Sequence, residues 1–282
     1  MMKNYPEFKN VSVIVTGVAS GIGRAQAEKF LLEGAFVFGG DINDNEAVKN
    51  LKRRFPQTFR FKLCDVTELE QVKQFADAAL HFLGGCEILL NTAGILDAYK
   101  PTLETDEELW DKIMNTNLKS IFRLTNAVLP SMLKQSHGVI INMASIAGMV
   151  AGGGGAAYTA AKHAIIGYTK QLDYDYAKSG IRACSIAPGA INTPMTAADF
   201  AGDAHMARQV AEETPAGRWA KPEEVAELTL FLASPRADKR PDRRRLGGKI
   251  DNFEKSQRES CGFFVHISGE SVRAESVGAA GT

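Results

Sequence analysis

The sequence predicts a doubly wound α/β fold: one parallel sheet with helices on both faces, built as a single domain. Three observations carry that prediction. Short apolar runs alternate with helical patterns about six times between residues 12 and 233. The runs are almost continuously apolar, which suits strands covered on both faces. The first run leads straight into a glycine-rich turn that opens a helix, which favours an open sheet over the competing closed eight-fold barrel.

Residues 12–16 (Ser-Val-Ile-Val-Thr) read as the first strand, and helical spacing over about 22–33 is stopped by Gly34. A second strand begins at Ala35 and ends at Asp41. A third covers 59–66, after which Thr67 and Glu70 have the spacing of a capping box for a helix to about Phe82. Residues 87–91 form the fourth strand, and a long helical region spans about 106–134. The fifth strand is 138–143, and a helix follows from Ala156 to about Lys178. The sixth is 181–187, broken by Pro188-Gly189. Pro222, at a first helical position, opens a helix to about Ala233. The uncharged stretch 138–161 is long enough for a membrane span. Four successive glycines at 152–155, with the polar Asn142, Ser145 and Tyr158, make it instead a strand, a loop and a helix start.

The chain has 282 residues, 45% hydrophobic and 23% charged, a composition that excludes disordered, collagen-like and disulfide-scaffold classes. Its 33 basic and 33 acidic residues cancel, which argues against a general affinity for nucleic acid or an anionic membrane. Cys64, Cys86, Cys184 and Cys261 form no CxxC pair and the five histidines no HxxxH pair, so no metal site is expected. Reduced thiols and a cytoplasmic location are expected, and residues 1–7 lack the apolar core of a signal peptide. Residues 236–258 hold nine Lys/Arg and four Asp/Glu, a local +5 against −5 elsewhere. The chain is therefore read as a domain over 1–235, a basic, mobile insertion over 236–260, and a segment 261–282 that supplies a last strand and a tail.

After the first strand comes Thr16-Gly17-Val18-Ala19-Ser20-Gly21-Ile22-Gly23. Glycines at this spacing let the backbone turn sharply and approach a pyrophosphate. The helix N-terminus then offers free N–H groups and a positive dipole end. A purely structural turn is the alternative. Asp41 lies 24 residues after Gly17, at the end of the second strand. A carboxylate there accepts hydrogen bonds from an adenosine ribose diol. It repels a 2′-phosphate by roughly 4 kcal/mol at about 4 Å and an effective dielectric near 20. Ser20 and Ile42 bring no offsetting cation, so NAD(H) is expected over NADP(H). The alternative is an Asp that only caps the next helix.

At this point the sequence resembles the classical short-chain dehydrogenase/reductase family, over residues from about Phe8 to Ala233. Residues 16–23 resemble the family's TGxxxGIG loop, which implies nucleotide contacts from Gly17, Ser20, Gly21, Ile22 and Gly23. Asp65-Val66 resembles the pair beside the adenine, and Asn91-Thr92-Ala93-Gly94 the NNAG segment with Thr in second place. The resemblance implies cofactor roles for Asn91, Ala93 and Gly94. Asn117, Ser145 and the pair Tyr158 and Lys162 match the active-site asparagine, serine and YxxxK motif. Pro188-Gly189 with Ile191 and Thr193 resembles the loop at the nicotinamide end, and residues 215–218 with 222–226 the stretch after the substrate loop. The C-terminus departs from the family, because the basic stretch intervenes before residues 263–267, which take the place of the usual final strand.

Tyr158 and Lys162 are four apart on a helix and so face the same way. A neighbouring ammonium should lower the phenol from its free value near about 10. Tyr158 then serves as general base on an alcohol or general acid on a ketone, with Ser145 stabilising the charge on the substrate oxygen. Asn117, by resemblance, holds a water linking Lys162 to solvent. The expected function is hydride transfer between a nicotinamide cofactor and a secondary alcohol or ketone covered by residues 192–216. In type the sequence is nearest to 3-oxoacyl-acyl-carrier-protein reductases and to NAD-dependent alcohol and sugar dehydrogenases. The former usually prefer NADPH, against which Asp41 weighs. A 3-oxoacyl-acyl-carrier-protein reductase and a non-catalytic NAD-binding sensor or scaffold are the alternatives. The two long helices, at the family's main dimer face, imply a homodimer and leave a tetramer open.

Overall fold

In the central strands, alternate side chains go to two different cores. Strand β1 (Ser12–Thr16) sends Val13 and Val15 to one face and Ile14 to the other. Strands β4 (Ile88–Asn91) and β5 (Gly138–Met143) do the same with Ile88 and Leu90 against Leu89, and with Val139 and Ile141 against Ile140. This two-sided burial is why the runs read as continuously apolar. Each such side chain contributes roughly 1.5–3 kcal/mol when fully buried.

The computed structural model describes residues 5–214, 216–237 and 265–267. Strands β2 (Phe36–Asp41), β3 (Phe59–Leu63), β6 (Ile181–Pro188) and β7 (Val265–Ile267) complete a seven-stranded sheet in the order β3-β2-β1-β4-β5-β6-β7. Every pairing is parallel. Helices α1 (Gly21–Leu32), α2 (Glu46–Arg54) and α8 (Pro222–Ala233) cover one face. Helices α3 (Leu69–Leu83), α5 (Ser120–Gln135) and α6 (Ala156–Tyr176) cover the other. The strand order reverses between β1 and β4, and in such sheets the crevice at the carboxyl ends of the strands at that point is where ligands bind.

Several expectations change. Residues 42–58, which lack an obvious apolar stripe, contain α2, whose N-cap Asn45 accepts from the Ala47 and Val48 N–H groups at 3.1 and 3.2 Å. Strand β3 stops at Leu63, before Cys64-Asp65-Val66. Thr67 does not cap α3; its hydroxyl and N–H donate to Asp65 Oδ1 at 2.7 and 2.8 Å, closing a turn instead. The long helical region over 106–134 is two helices, α4 (Glu107–Ile113) and α5, joined by a π-helical stretch, Met114–Lys119. A further helix, α7 (His205–Glu213), lies in the segment assigned to substrate cover. The stretch 138–161 folds as β5, a 3₁₀ turn at Ile146–Gly148 and the start of α6. Among the described residues no helix is long and apolar enough to cross a membrane. The basic segment lies outside the described residues beyond Ala237, as does Cys261.

Candidate active site

A cavity of about 510 Å³ opens at the carboxyl ends of β1, β4 and β5. Its lining includes every residue expected at the catalytic and cofactor sites except Asn91 and Asn117. One end is built by the turn after β1. The N–H groups of the first turn of α1 have no helical acceptor, and Gly21, Ile22 and Gly23 line the cavity there. The N-cap Ser20 makes no side-chain cap hydrogen bond. Gly23 is required for close approach: a Cβ there would lie 2.3 Å from the Gly17 carbonyl oxygen. The result is a backbone cradle of the kind that takes phosphate.

Asp41, at the end of β2, lines the same cavity. Its Oδ2 accepts from Ala19 N–H and its Oδ1 from Asn43 N–H, both at 3.0 Å, which fixes the carboxylate while leaving lone pairs for a diol. Its cavity neighbours Ser20, Ile42 and Asn43 are uncharged. Asp65 and Val66 line the cavity beside it, just past the end of β3, in a turn braced by the Arg123 guanidinium, which donates to the Thr67 carbonyl. Phosphate cradle, anionic diol acceptor and a slot beside Val66 and Ala93 together fit an adenine dinucleotide.

The other end holds the residues expected to do chemistry. Ser145 follows β5, its Oγ accepting from the Ala147 N–H at 3.2 Å. Lys162 is buried in α6, and its Nζ donates to the Met143 carbonyl at 2.7 Å and lies 5.3 Å from the centre of the Tyr158 ring. Burial lowers Lys162 to about 7. Tyr158 is pushed up to about 12, chiefly by burial, against which a hydrogen bond with Ser145 acts in the lowering direction. Tyr99 and Asp97 raise it further. The expected lowering rests on the Lys162 ammonium together with the cationic oxidised nicotinamide; the protein's own groups by themselves shift the phenol the other way. Among them desolvation outweighs the ammonium, whose charge is itself disfavoured by the same burial.

Asn117 sits in the π-helical stretch, fully buried behind the cavity. Its Nδ2 donates to the Ile95 carbonyl and its Oδ1 accepts from the Ile95 N–H, both at 2.8 Å. Its side chain is therefore committed to the loop after β4. A Cβ on Gly94 would stand 3.1 Å from Asn117 Oδ1 and 3.8 Å from Lys162 Nζ, so the three meet. Asn91 also lies behind the cavity: its Nδ2 donates to Asn142 Oδ1 at 2.8 Å, and Asn142 Nδ2 to Thr169 Oγ1 at 2.9 Å, tying β4 and β5 to α6. Thr92 donates to Gln26 Oε1 at 2.6 Å, and Gln26 Nε2 to Thr229 Oγ1 at 2.9 Å, so that position faces α1 and α8. Pro188, Gly189, Ile191 and Thr193 close the cavity, with Met195 beyond them.

Sequence reasoning missed Asp97. Its carboxylate is buried and accepts from the N–H groups of Tyr99, Gly155 and Tyr158 at 3.2, 2.9 and 2.9 Å. No local spacing signals it, because two of those donors are 58 and 61 residues away. No group of three or more His, Cys, Asp or Glu able to hold a metal occurs among the described residues.

Comparison with known proteins agrees with this geometry. Residues 17–239 match the family profile described as enoyl-(acyl carrier protein) reductase. A 3-oxoacyl-(acyl-carrier-protein) reductase of Thermotoga maritima is 38% identical over 225 residues, covering 78% of this chain and 89% of its own. A 3beta-hydroxysteroid dehydrogenase of Eggerthella lenta is 36% identical over 241 residues, with 83% and 92% covered. The crystal structure of a levodione reductase superposes with a TM-score of 0.79 at 28% identity, covering 93% of this chain and 97% of the other.

Proposed function

Because the chain belongs to the classical short-chain dehydrogenase/reductase family, an oxidoreductase family that uses nicotinamide cofactors, we propose that it interconverts a neutral secondary alcohol and its ketone with NAD(H), using Tyr158 as the proton-transfer residue. One observation carries the reading. Ser145, Tyr158 and Lys162 converge at one end of a cavity whose other end combines a glycine-lined helix N-terminus with the carboxylate of Asp41.

In this reading Gly17, Ser20, Gly21, Ile22 and Gly23 hold the pyrophosphate, Asp41 the adenosine ribose, and Asp65, Val66, Ala93 and Gly94 the adenine side. Tyr158, Lys162, Pro188, Gly189, Ile191 and Thr193 frame the nicotinamide end. The bound nicotinamide supplies the hydride acceptor or donor. Ser145 hydrogen-bonds the substrate oxygen, and the Tyr158 hydroxyl passes a proton to or from it. Lys162, lowered to about 7, changes charge near neutrality and can move a proton between the phenol and a water. Asn117 orders the loop after β4 beside them through its pair of bonds to Ile95. Asp199, Asp203, Glu212 and Glu213 make the segment 194–213 acidic, which favours a neutral substrate over an acidic carrier protein.

The test is a spectrophotometric screen of neutral ketones and secondary alcohols, including cyclic diketones, steroids and sugars, with all four nicotinamide nucleotides. Turnover with NADH or NAD is expected, and no turnover of any member would sink the reading. Cofactor choice gives a second expected result. Wild type should favour NAD(H) by at least about tenfold in kcat/KM, since Asp41 repels a 2′-phosphate. Asp41→Ala should narrow that ratio, by losing the diol bonds and relieving the repulsion. A wild type that prefers NADPH would overturn the assignment.

We place the enzyme in the cytoplasm, with Cys64, Cys86 and Cys184 as free thiols. Burial raises Cys64 and Cys184 to about 11, so both stay protonated at neutral pH. We assign a homodimer to the outer faces of α5 and α6, where the exposed ring of Phe122 meets Tyr168 at 6.2 Å between centroids.

A further inference from the structure

We propose that Asp97 is a positioning residue of this active site: its carboxylate clamps the loop after β4 onto the first turn of α6 and thereby fixes Tyr158 in place. The inference rests on the reading of Tyr158 as the proton-transfer residue.

The clamp is built from both sides. Asp97 Oδ1 accepts from the Gly155 N–H, the N-cap of α6, and Oδ2 from the N–H of Tyr158 itself, both at 2.9 Å. One residue pair further along, the Ala156 N–H donates to the Lys100 carbonyl at 3.0 Å. Three of the four donors that a helix start leaves without helical acceptors, those of Gly155, Ala156 and Tyr158, are thus met here from a single distant loop. The fit is close: a Cβ on Gly155 would lie 2.5 Å from both Asp97 Oδ2 and the Lys100 carbonyl oxygen. Only a glycine lets the loop approach.

The loop also bears a conformational cost. Ala98 and Tyr99 both adopt left-handed backbone, with φ of 54° and 58°. A bulky residue there is an outlier that the surroundings must enforce. Asp97 Oδ1 supplies part of that enforcement, accepting from the Tyr99 N–H at 3.2 Å. Tyr99 stands near enough to Tyr158 to raise its phenol, and is itself raised by burial and by Asp199 of the 3₁₀ turn Pro194–Phe200. One carboxylate therefore holds the backbone of Tyr158 and the loop that bears Tyr99.

Asp97 also brings a charge to the site. The titratable groups facing Tyr158 are Lys162 from α6 and Tyr99 and Asp97 from the loop after β4, with Asp199 facing Tyr99. A carboxylate opposes phenolate formation, so its removal favours the phenolate.

The experiment compares wild type with Asp97→Asn and Asp97→Glu. Asparagine keeps the shape but loses the charge and presents a donor to one of the two helix N–H groups. Amide hydrogen exchange, read without substrate, should rise at least about tenfold at residues 155–158 in Asp97→Asn, with β1 and β4 unchanged. Unchanged exchange there would overturn the clamp. In NAD-dependent oxidation of the fastest alcohol from the screen, the rising limb of the pH profile should move to lower pH by about half a unit or more in Asp97→Asn. Asp97→Glu, which keeps the charge on a longer arm, should keep the limb near its wild-type position with a lower kcat. NADH affinity should stay within about threefold in both variants, since Asp97 does not line the cavity. A lower kcat with the limb unmoved in Asp97→Asn, or moved equally in both variants, would make Asp97 a merely structural residue. If wild type oxidises no alcohol, the exchange result alone decides the clamp; the oxidoreductase reading itself fails only if no ketone is reduced either. If Asp97→Asn does not fold, Asp97→Glu decides: wild-type exchange at 155–158 would overturn the clamp.

Discussion

Tyr158→Phe is expected to lower turnover by about 10²–10⁴-fold while nucleotide still binds, the range typical of a lost general acid or base. The substitution removes one oxygen. The ring packs among Ile113, Ala147, Ala157 and Ala161, and phenylalanine keeps those contacts. The lost hydrogen bond with Ser145 is worth about 1 kcal/mol. A near-normal melting temperature together with lost turnover therefore assigns the effect to the proton. NADH binding, followed by nicotinamide fluorescence, should be unchanged within a few fold. A variant that kept more than about a tenth of wild-type turnover would refute the role of Tyr158.

Lys162→Met should have the second largest effect, and it should act in opposite directions on activity and stability. Turnover should fall by at least about 10²-fold, since the charge and proton beside Tyr158 are lost. The folded chain should become more stable. Burial lowers the lysine from 10.5 to about 7, so the fold tolerates the amine and disfavours the ammonium. A depressed value in the folded state means that stability is fully present above 10.5 and is lost as the pH falls through about 7. Methionine carries no such dependence. At neutral pH the variant should melt at least about 2 °C higher than wild type, even after the bond to the Met143 carbonyl is given up. The difference should grow as the pH falls from about 10.5 to about 7 and level off below that. A variant that melts lower than wild type at pH 6 would show that the ammonium is stabilised in the fold.

What the sequence makes legible is whatever its local spacing encodes. Tyr158 and Lys162 ride one helix, so their separation in sequence is already their geometry. The turn from Gly17 to Gly23 is one contiguous cradle, and β1 to β6 announce themselves through two-sided burial. Asp41 is legible as the last residue of a strand. Other features depend on distant partners. Asp97 reads as an ordinary loop acid until Gly155 and Tyr158 stand beside it. Thr67 and Glu70 have capping-box spacing, yet Thr67 closes a turn onto Asp65 and α3 begins only at Leu69, with Glu68 at its N-cap. Helix α2 is mostly charged and buries only Val48 and Leu51, too few positions to give a visible period. The direction of the Tyr158 shift depends on how deeply the hydroxyl is buried, and spacing carries no measure of depth.

The π-helical stretch between α4 and α5 has a consequence for how the protein can vary. A regular helix transmits its rotational setting along its whole length, so a change at one end would turn the residues at the other. The wider turn at Met114–Lys119 interrupts that transmission. On one side of it, Leu109 and Ile113 pack against Ala157, Tyr158 and Ala161; on the other, Leu124, Val128 and Met132 pack into the sheet with Phe75 and Leu89. The rod thus works as two independently phased halves with Asn117 at the joint. The half beside the reacting residues is free to drift in sequence toward a different partner molecule while the half bedded on the sheet keeps its register.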